Sequence, residues 1–531
     1  MQGTRAQAPA TPRCGQAAAL AVAMLAIATP AQSATLTVDT TSDAMLSACT
    51  AAAGDCSLRG AITLANADGA EDTIAFALPT SDPGYVAASG HWRIATASAL
   101  PAVDADLVID GYTQPGASAN TLTPEQGGTS ALLRIELANA GAGNLVGLQV
   151  PGNNFSARLV VRGLAISGYA AQLELGGGAA HRIEGCFLGT TIDGMAAAPA
   201  GPAGTGTTGV RLRSGNTGAS IIGGTTPAAR NLIAALGNGI ASFGVPDGLR
   251  IEGNLIGVDT TAAAALPIRD FGITLGNAFN TTIGGGTPAA RNIIAGTGVG
   301  AISLSAGNGF AVAFSGTRVL GNRIGTDGSG TLALGSASLA GQAAVQVFAG
   351  SPCGLEIGGD GADDGNLIAA AAGPGVLVGN CARARTVGNR FVANRGIAID
   401  LATGSFGDGP TTDDPGDPDD GGNRLQNRPQ ALGAAPVGGD QFTLSYRVDT
   451  AVANASYPLR VDFHRGRGSD VLERVGSQSI AAIDAGTPRT VTLPLAALVD
   501  GVIWMSATDS AGNTSEFGRY AIDALFADGY E

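Results

Sequence analysis

Apolar positions in the middle of the chain come in short pairs and triplets, each closed by Gly, Asn or Thr, and the pattern returns at a fixed distance. Arg182-Ile-Glu-Gly-Cys-Phe-Leu-Gly189 recurs as Arg250-Ile-Glu-Gly-Asn-Leu-Ile-Gly257, as Arg318-Val-Leu-Gly-Asn-Arg-Ile-Gly325 and, shortened, as Arg385-Thr-Val-Gly-Asn-Arg-Phe391. The arginines are 68, 68 and 67 residues apart. Between them lies Ile222-Gly-Gly-Thr-Thr-Pro-Ala-Ala-Arg-Asn-Leu-Ile233, which returns at Ile283 to Ile294 and, with another turn, from Ile357 to Ile368. A fixed period with turn residues at fixed places predicts a stacked repeat architecture. Three apolar segments per period predict coils of about 22–23 residues, about 13 of them between ~105 and ~405, in a stack roughly 60 Å long at ~4.8 Å per strand. Leu249, Ile251, Leu255 and Ile256 are expected to point inward. The paired asparagines Asn231 with Asn292 and Asn254 with Asn322 are expected at turns, where Asn tolerates left-handed backbone.

The flanks read differently. Thr35 to Asp39 and Thr73 to Ala77 alternate as strands do, and apolar residues at 58, 61, 62 and 65 have helical spacing. A strand–helix–strand unit over 34–104 would cover the open end of a solenoid. The repeat stops at Phe406. An acidic, Pro/Gly-rich linker over 406–430 follows, and then six short alternating segments: Phe442 to Val448, Leu459 to His464, Ser477 to Ile483, Thr490 to Leu495, Val502 to Thr508 and Glu516 to Ile522. Their spacing over 431–523 predicts a small immunoglobulin-like β-sandwich, with a short tail over 524–531. The predicted class is all-β: a parallel β-helix over 105–405 with an N-terminal cap and a C-terminal sandwich.

Composition narrows the chemistry. Gly makes up 82 of the 531 residues, aromatics are 5% and charged residues 14%. All 29 basic residues are Arg, so Schiff-base, P-loop and other Lys-dependent chemistry is excluded. A net charge of −14 argues against a nucleic-acid partner. Arg5 and Arg13 followed by the apolar run Ala17 to Ala28 and by Ala31-Gln-Ser33 read as a secretory signal over 1–33; Cys14 precedes the run, and no other stretch could span a membrane. Export permits disulfides. Cys49 and Cys56 can close a short loop, Cys353 and Cys381 can stack on adjacent coils, and Cys186 replaces the Asn of the other copies as a small buried thiol.

Cys49…Gly-Asp-Cys56-Ser-Leu-Arg-Gly-Ala-Ile62…Ala-Asn66 resembles the N-terminal signature of the bacterial CSLREA family, with Gly60 where the family has Glu. Ile109-Asp-Gly-Tyr-Thr-Gln-Pro-Gly116 and the repeated Ile-Gly-Gly-Thr-Pro-Ala-Ala-Arg-Asn units resemble further segments of those proteins. Ala507 to Phe517 resembles the closing turn of the sandwich that follows such helices, and Leu525 to Glu531 looks like an acidic-aromatic tail of exported bacterial proteins. The resemblance implies a secreted, right-handed parallel β-helix and no settled activity.

Parallel β-helices often carry polysaccharide lyases and hydrolases, but a fold does not fix a function. Glu184 and Glu252 share a register; three coils between them would separate them by about 14 Å, beyond either glycosidase geometry. Arg182, Arg250, Arg318 and Arg385 also share a register, read as turn residues paired to a carbonyl or an acid, or as a face for acidic glycans. His91, His181 and the Asp110 region are the non-repeating polar positions and form no visible constellation. Asp413, Asp414, Asp417, Asp419 and Asp420, on a Gly-containing segment, are what Ca²⁺ requires; a solvated linker is the other reading. Asp259 and Asp327 are weaker ligand choices. The leading expectation is an exported binding or adhesion module at the cell surface, with polysaccharide as partner. A lyase or hydrolase is the alternative, and a surface-attached spacer directed by the tail a third.

Overall fold

The computed structural model describes residues 1–4, 32–67, 69–199, 207–213, 218–306, 312–350, 352–403 and 407–522. The expected signal segment lies almost entirely outside these residues, and the 524–531 tail wholly so.

The protein is nearly all β, with long parallel sheets. Three sheets of eleven, nine and fifteen strands are built by visiting each in rotation, and from Leu107 onward every step within the parallel runs skips two strands of sequence. This order is compatible with a β-helix. Sheet I starts at Thr35–Val38 and ends at Ala384–Val387; sheet II holds His91–Thr96 through Arg390–Val392; sheet III runs from Val146–Val150 to Ile399–Ala402. One face of each strand is apolar. Ile183, Ile222, Ile251, Ile283 and Val319 stack inside sheet I, and all are fully buried.

Nine turns of chain, not thirteen, lie between Leu107 and Ala402. Arg182 pairs with Ile221, Ile221 with Arg250, Arg250 with Thr282, and Thr282 with Arg318. The 68-residue period therefore contains two coils rather than three. The miscount has a physical cause. Apolar residues after Gly189, Gly257 and Gly325 belong to side loops closed by the single bridges Thr190–Ala197, Val258–Ala265 and Thr326–Ala333, which add length without adding a rung.

The two repeated motifs occupy the same place in successive coils. In one, Gly253 leads straight to Asn254; in the other, an excursion with a 3₁₀ turn at Pro227–Ala229 or Pro288–Ala290 precedes the Asn. Asn231, Asn254, Asn292, Asn322, Asn366 and Asn389 consequently stand in one buried column. Each Nδ2 donates to Oδ1 of the next Asn at 2.9–3.0 Å. Nδ2 of Asn254, Asn292 and Asn322 also reaches a strand carbonyl (Ile222, Ile251, Ile283) at 2.8–2.9 Å. These are interior residues, not left-handed turn residues. The left-handed position is the preceding glycine, as at Gly253 with φ +73.

Leu255 is a further correction. It is buried, but on the outer face of sheet II, with Phe187, Leu232, Ile293 and Leu133. The segment 112–133 lies over this cluster. It is tied by Tyr112 Oη to the Gly185 carbonyl (2.8 Å), Asn120 Nδ2 to the Pro227 carbonyl (2.9 Å) and Thr129 N to the Thr260 carbonyl (2.7 Å).

Both ends of the stack are covered. Thr35–Val38 and Asp72–Phe76 extend sheet I, and the helix Leu58–Ala65 buries Leu58, Ala61, Ile62 and Ala65, the positions its spacing predicts. A Cβ on Gly60 would sit 1.8 Å from the Leu46 carbonyl oxygen, so this position takes glycine. At the other end, Ala384 N donates to Asn423 Oδ1 (2.9 Å), Thr386 N to Thr514 Oγ1 (3.0 Å) and Leu401 N to Glu516 Oε1 (3.1 Å). Sheet II continues antiparallel into Asp470–Ile480, Leu459–Arg467, Val502–Thr508 and Gly518–Ala521. A second antiparallel sheet, Gln430–Gly438, Gln441–Arg447 and Arg489–Pro494, packs on it through Phe442, Tyr446, Phe463 and Met505. Gln430–Gly438 is a strand that the alternation pattern missed.

Candidate functional site

The outer face of sheet I carries the repeated charges. Arg182, Arg250 and Arg318 occupy every second rung, about 9.6 Å apart at ~4.8 Å per strand, with Ile221 and Thr282 between them. Their side chains are about half exposed, at 50%, 50% and 47%. Each opens a strand rather than sitting at a turn as expected, but each is held by an acid, one of the partners expected: Arg182 by Glu184 (3.2 Å), Arg250 by Glu252 (2.8 Å) and Arg318 by Glu356 (3.2 Å). Arg385 joins the column beyond Glu356 and bonds both Glu356 and Asp360. The row runs into an open cleft of about 610 Å³ between the last coils and the C-terminal module, lined by Arg318, Glu356, Arg383, Arg385 and Arg460.

Glu184 and Glu252 are two rungs apart, not three, with Gly223 between them. That places them about 9.6 Å apart along the stack, at the upper edge of the roughly 6.5–9.5 Å separation of inverting glycosidases. The larger separation expected from sequence is thereby corrected.

The acidic segment is folded rather than extended. Carboxylate oxygens of Asp414, Asp417 and Asp419 lie within 4.8 Å of one another. Asp417 is buried and left-handed (φ +63), and accepts from Gln426 Nε2 (2.6 Å), Thr450 Oγ1 (2.8 Å) and Asn427 N (3.1 Å). Burial pushes its carboxyl up to about 7, against those hydrogen bonds and with the charges of Asp419 and Asp414 adding to the rise. Burial, then the charges of Asp414, Asp420 and Asp413, raise Asp419. Oδ1 of Asp414 and Oδ1 of Asp419 are buried without a hydrogen-bond partner among the described residues. Asp413 is engaged elsewhere, by Arg428 at 3.2 Å, and Asp420 is exposed and outside the group. Three of the five predicted ligands are thus brought together. Asp259 and Asp327 cap their own turns, accepting from Thr261 Oγ1 (2.7 Å) and from Thr331 N (2.9 Å).

The histidines are interior. His181 is fully buried rather than a surface residue; its Nδ1 accepts from Leu159 N (3.0 Å) and its Nε2 donates to the Gly177 carbonyl (2.7 Å). Burial lowers its pKa. His91 bridges Ser89 Oγ (2.7 Å) and the buried Glu136 (3.0 Å), a link of 45 residues in sequence that inspection of the chain did not find. Asp110 pairs with Arg162 at 3.0 Å. Cys186 is a free, buried thiol pushed up to about 12 by burial, so it is a packing residue rather than a nucleophile. Cys49 with Cys56 and Cys353 with Cys381 form the two expected bridges, with Cα atoms 4.4 and 5.6 Å apart. Among the described residues, no helix is long and apolar enough to cross a membrane.

No protein-family model matches the chain, and no curated protein matches it.

Proposed function

We propose that this chain is an exported protein of the bacterial CSLREA type, a right-handed parallel β-helix with an immunoglobulin-like terminal sandwich, whose sheet I face binds acidic polysaccharide. One observation carries the reading: half-exposed guanidiniums at every second rung of a rigid stack. A row fixed by strand spacing suits a polymer whose anionic groups recur at regular intervals. Right-handedness rests on the rule that parallel crossovers are right-handed in about 98% of cases. The two disulfide pairs support a location outside the reducing cytoplasm.

The test is affinity electrophoresis in polygalacturonate, alginate and neutral dextran. The protein should be retarded by the acidic polymers only, and less so as salt rises. Replacing Arg182, Arg250 and Arg318 together by Gln should weaken retention about threefold to a hundredfold, since exposed charge pairs are worth roughly 0.2–1 kcal/mol each. Equal retardation of the triple variant would refute the reading.

Asp414, Asp417 and Asp419 form our proposed Ca²⁺ site, supported by the closeness of their carboxylate oxygens and by the two that lack a partner among the described residues. A glycoside hydrolase is kept as a second reading because Gly223 leaves a gap between Glu184 and Glu252. Release of reducing ends that Glu252→Gln abolishes would establish it in place of binding alone.

A further inference from the structure

Sheet I changes character at its last rung. Its outward column runs Arg182, Ile221, Arg250, Thr282, Arg318, Glu356, Arg385. Two residues before these stand Ala180, Ala219, Gly248, Asn280, Gly316 and Gly354, and then Arg383. All seven are left-handed, with φ between +47 and +72. Six are small residues or Asn; the last is an arginine, in a conformation that only glycine adopts without cost. The backbone of Arg383 is held, its N donating to Asn513 Oδ1 (2.8 Å) and its carbonyl accepting from Leu355 N (3.2 Å). Its side chain is not. The residue is exposed, and its guanidinium makes no hydrogen bond or ion pair among the described residues. The fold uses the bend at 383, which glycine would give, and makes no use of the charge. Backbone strain kept without a structural return points to function.

Arg383 opens onto the cleft of about 610 Å³ at the end of the row, within the roughly 300–1,000 Å³ of small-molecule sites. Gly316 and Gly354 also line it, and having no side chains they leave it open. Pro458, Arg460 and the turn from Ser510 to Gly512 bound it from the C-terminal module. That turn closes the row, since a Cβ on Gly512 would lie 3.4 Å from Arg385 Cβ.

Four guanidiniums meet two carboxylates here. Glu356 is shared by Arg318 and Arg385, and Asp509 is turned into its own loop, accepting from Asn513 N (2.8 Å) and Ala511 N (3.0 Å). Arg385 and Arg460 are also drawn to Asp360. The whole Arg383 guanidinium and both Nη atoms of Arg318, which reaches Glu356 through Nε, are left without a partner among the described residues.

We infer that this cleft seats the carboxylate-bearing end unit of an acidic polysaccharide, an inference that rests on the reading of the arginine row. A polymer lying along the row meets the module at Arg385 and cannot run on, so what enters the cleft is a chain end. Arg383 and Arg318 offer forked N–H donors whose geometry matches a carboxylate. A neutral end unit would leave those charges unanswered.

Calorimetry on the full chain with digalacturonate and diguluronate, and with maltose as the neutral control, tests this. A disaccharide is too short to lie along the row, so it reads the cleft. At least one acidic disaccharide should bind and maltose should not. Arg383→Gly should weaken binding about tenfold, the worth of a charge-assisted contact, with the melting temperature held or raised because glycine suits the bend. If that variant melts early, Arg383→Gln serves the same test. No binding of either acidic disaccharide overturns the inference, as does binding that both variants leave untouched. Retention of acidic polymers would then still stand for the row, whereas loss of polymer retention with disaccharide binding intact would remove the row and keep the cleft.

Discussion

Asn292 illustrates what a single residue does here. Its Nδ2 is shared between Asn322 Oδ1 (2.9 Å) and the Ile251 carbonyl (2.8 Å), and its Oδ1 accepts from Asn254 N and Nδ2 (both 3.0 Å). Asn292→Ala would orphan groups on both neighbouring coils and should cost about 3 kcal/mol in urea denaturation. Cys186 heads the same column, with its N–H on Asn231 Oδ1 at 2.9 Å. Cys186→Asn should extend the ladder and stabilise by about 1 kcal/mol; a loss of stability would mean that the column ends at Cys186 for steric reasons. At Asp417 the prediction concerns pH. Its carboxyl is raised from 3.8 to about 7, so its contribution to stability is full below 3.8 and is lost as pH rises through about 7. Ca²⁺ favours the ionised form, so the rise in melting temperature on adding Ca²⁺ over EDTA should grow from pH 5 to pH 8. No rise at any pH would remove the metal site.

Among the elements, the turn and extended segment from Asp509 to Phe517 have the largest consequence. Asn513, Thr514 and Glu516 supply side-chain acceptors to the open edges of two sheets, while Asp470–Ile480 pairs with the third. Such edges otherwise template association with other chains. Ending the chain at residue 403 should convert a defined species into concentration-dependent oligomers, read by light scattering after size exclusion. Most of the C-terminal strands were legible because alternation survives in any half-buried sheet. Their capping role was not, since it depends on side chains more than a hundred residues away in sequence. The helix Leu58–Ala65 was legible for the opposite reason: its spacing and its Ser57 cap are local.

At the scale of the molecule, Asp360 links the two halves. It receives Arg385 from the last coils and Arg460 and Arg474 from the C-terminal module, at 2.6–2.7 Å. Those arginines, Arg460 foremost, hold its carboxyl well below the usual range. Asp360→Asn should speed amide exchange in Leu459–Arg467 and leave the coils from Leu107 to Ser242 unchanged; equal protection would show that the sheet edges alone hold the junction. The sequence by itself determined that the chain is a stack, which cysteines pair and where the repeat fails, because each depends on local spacing. Only the tertiary structure decided how many residues make a coil, and hence that Glu184 and Glu252 stand two rungs apart and that six asparagines form one column. Side loops and 3₁₀ excursions change the length of a coil without changing its register, and register is set by pairing between strands, not by distance along the chain.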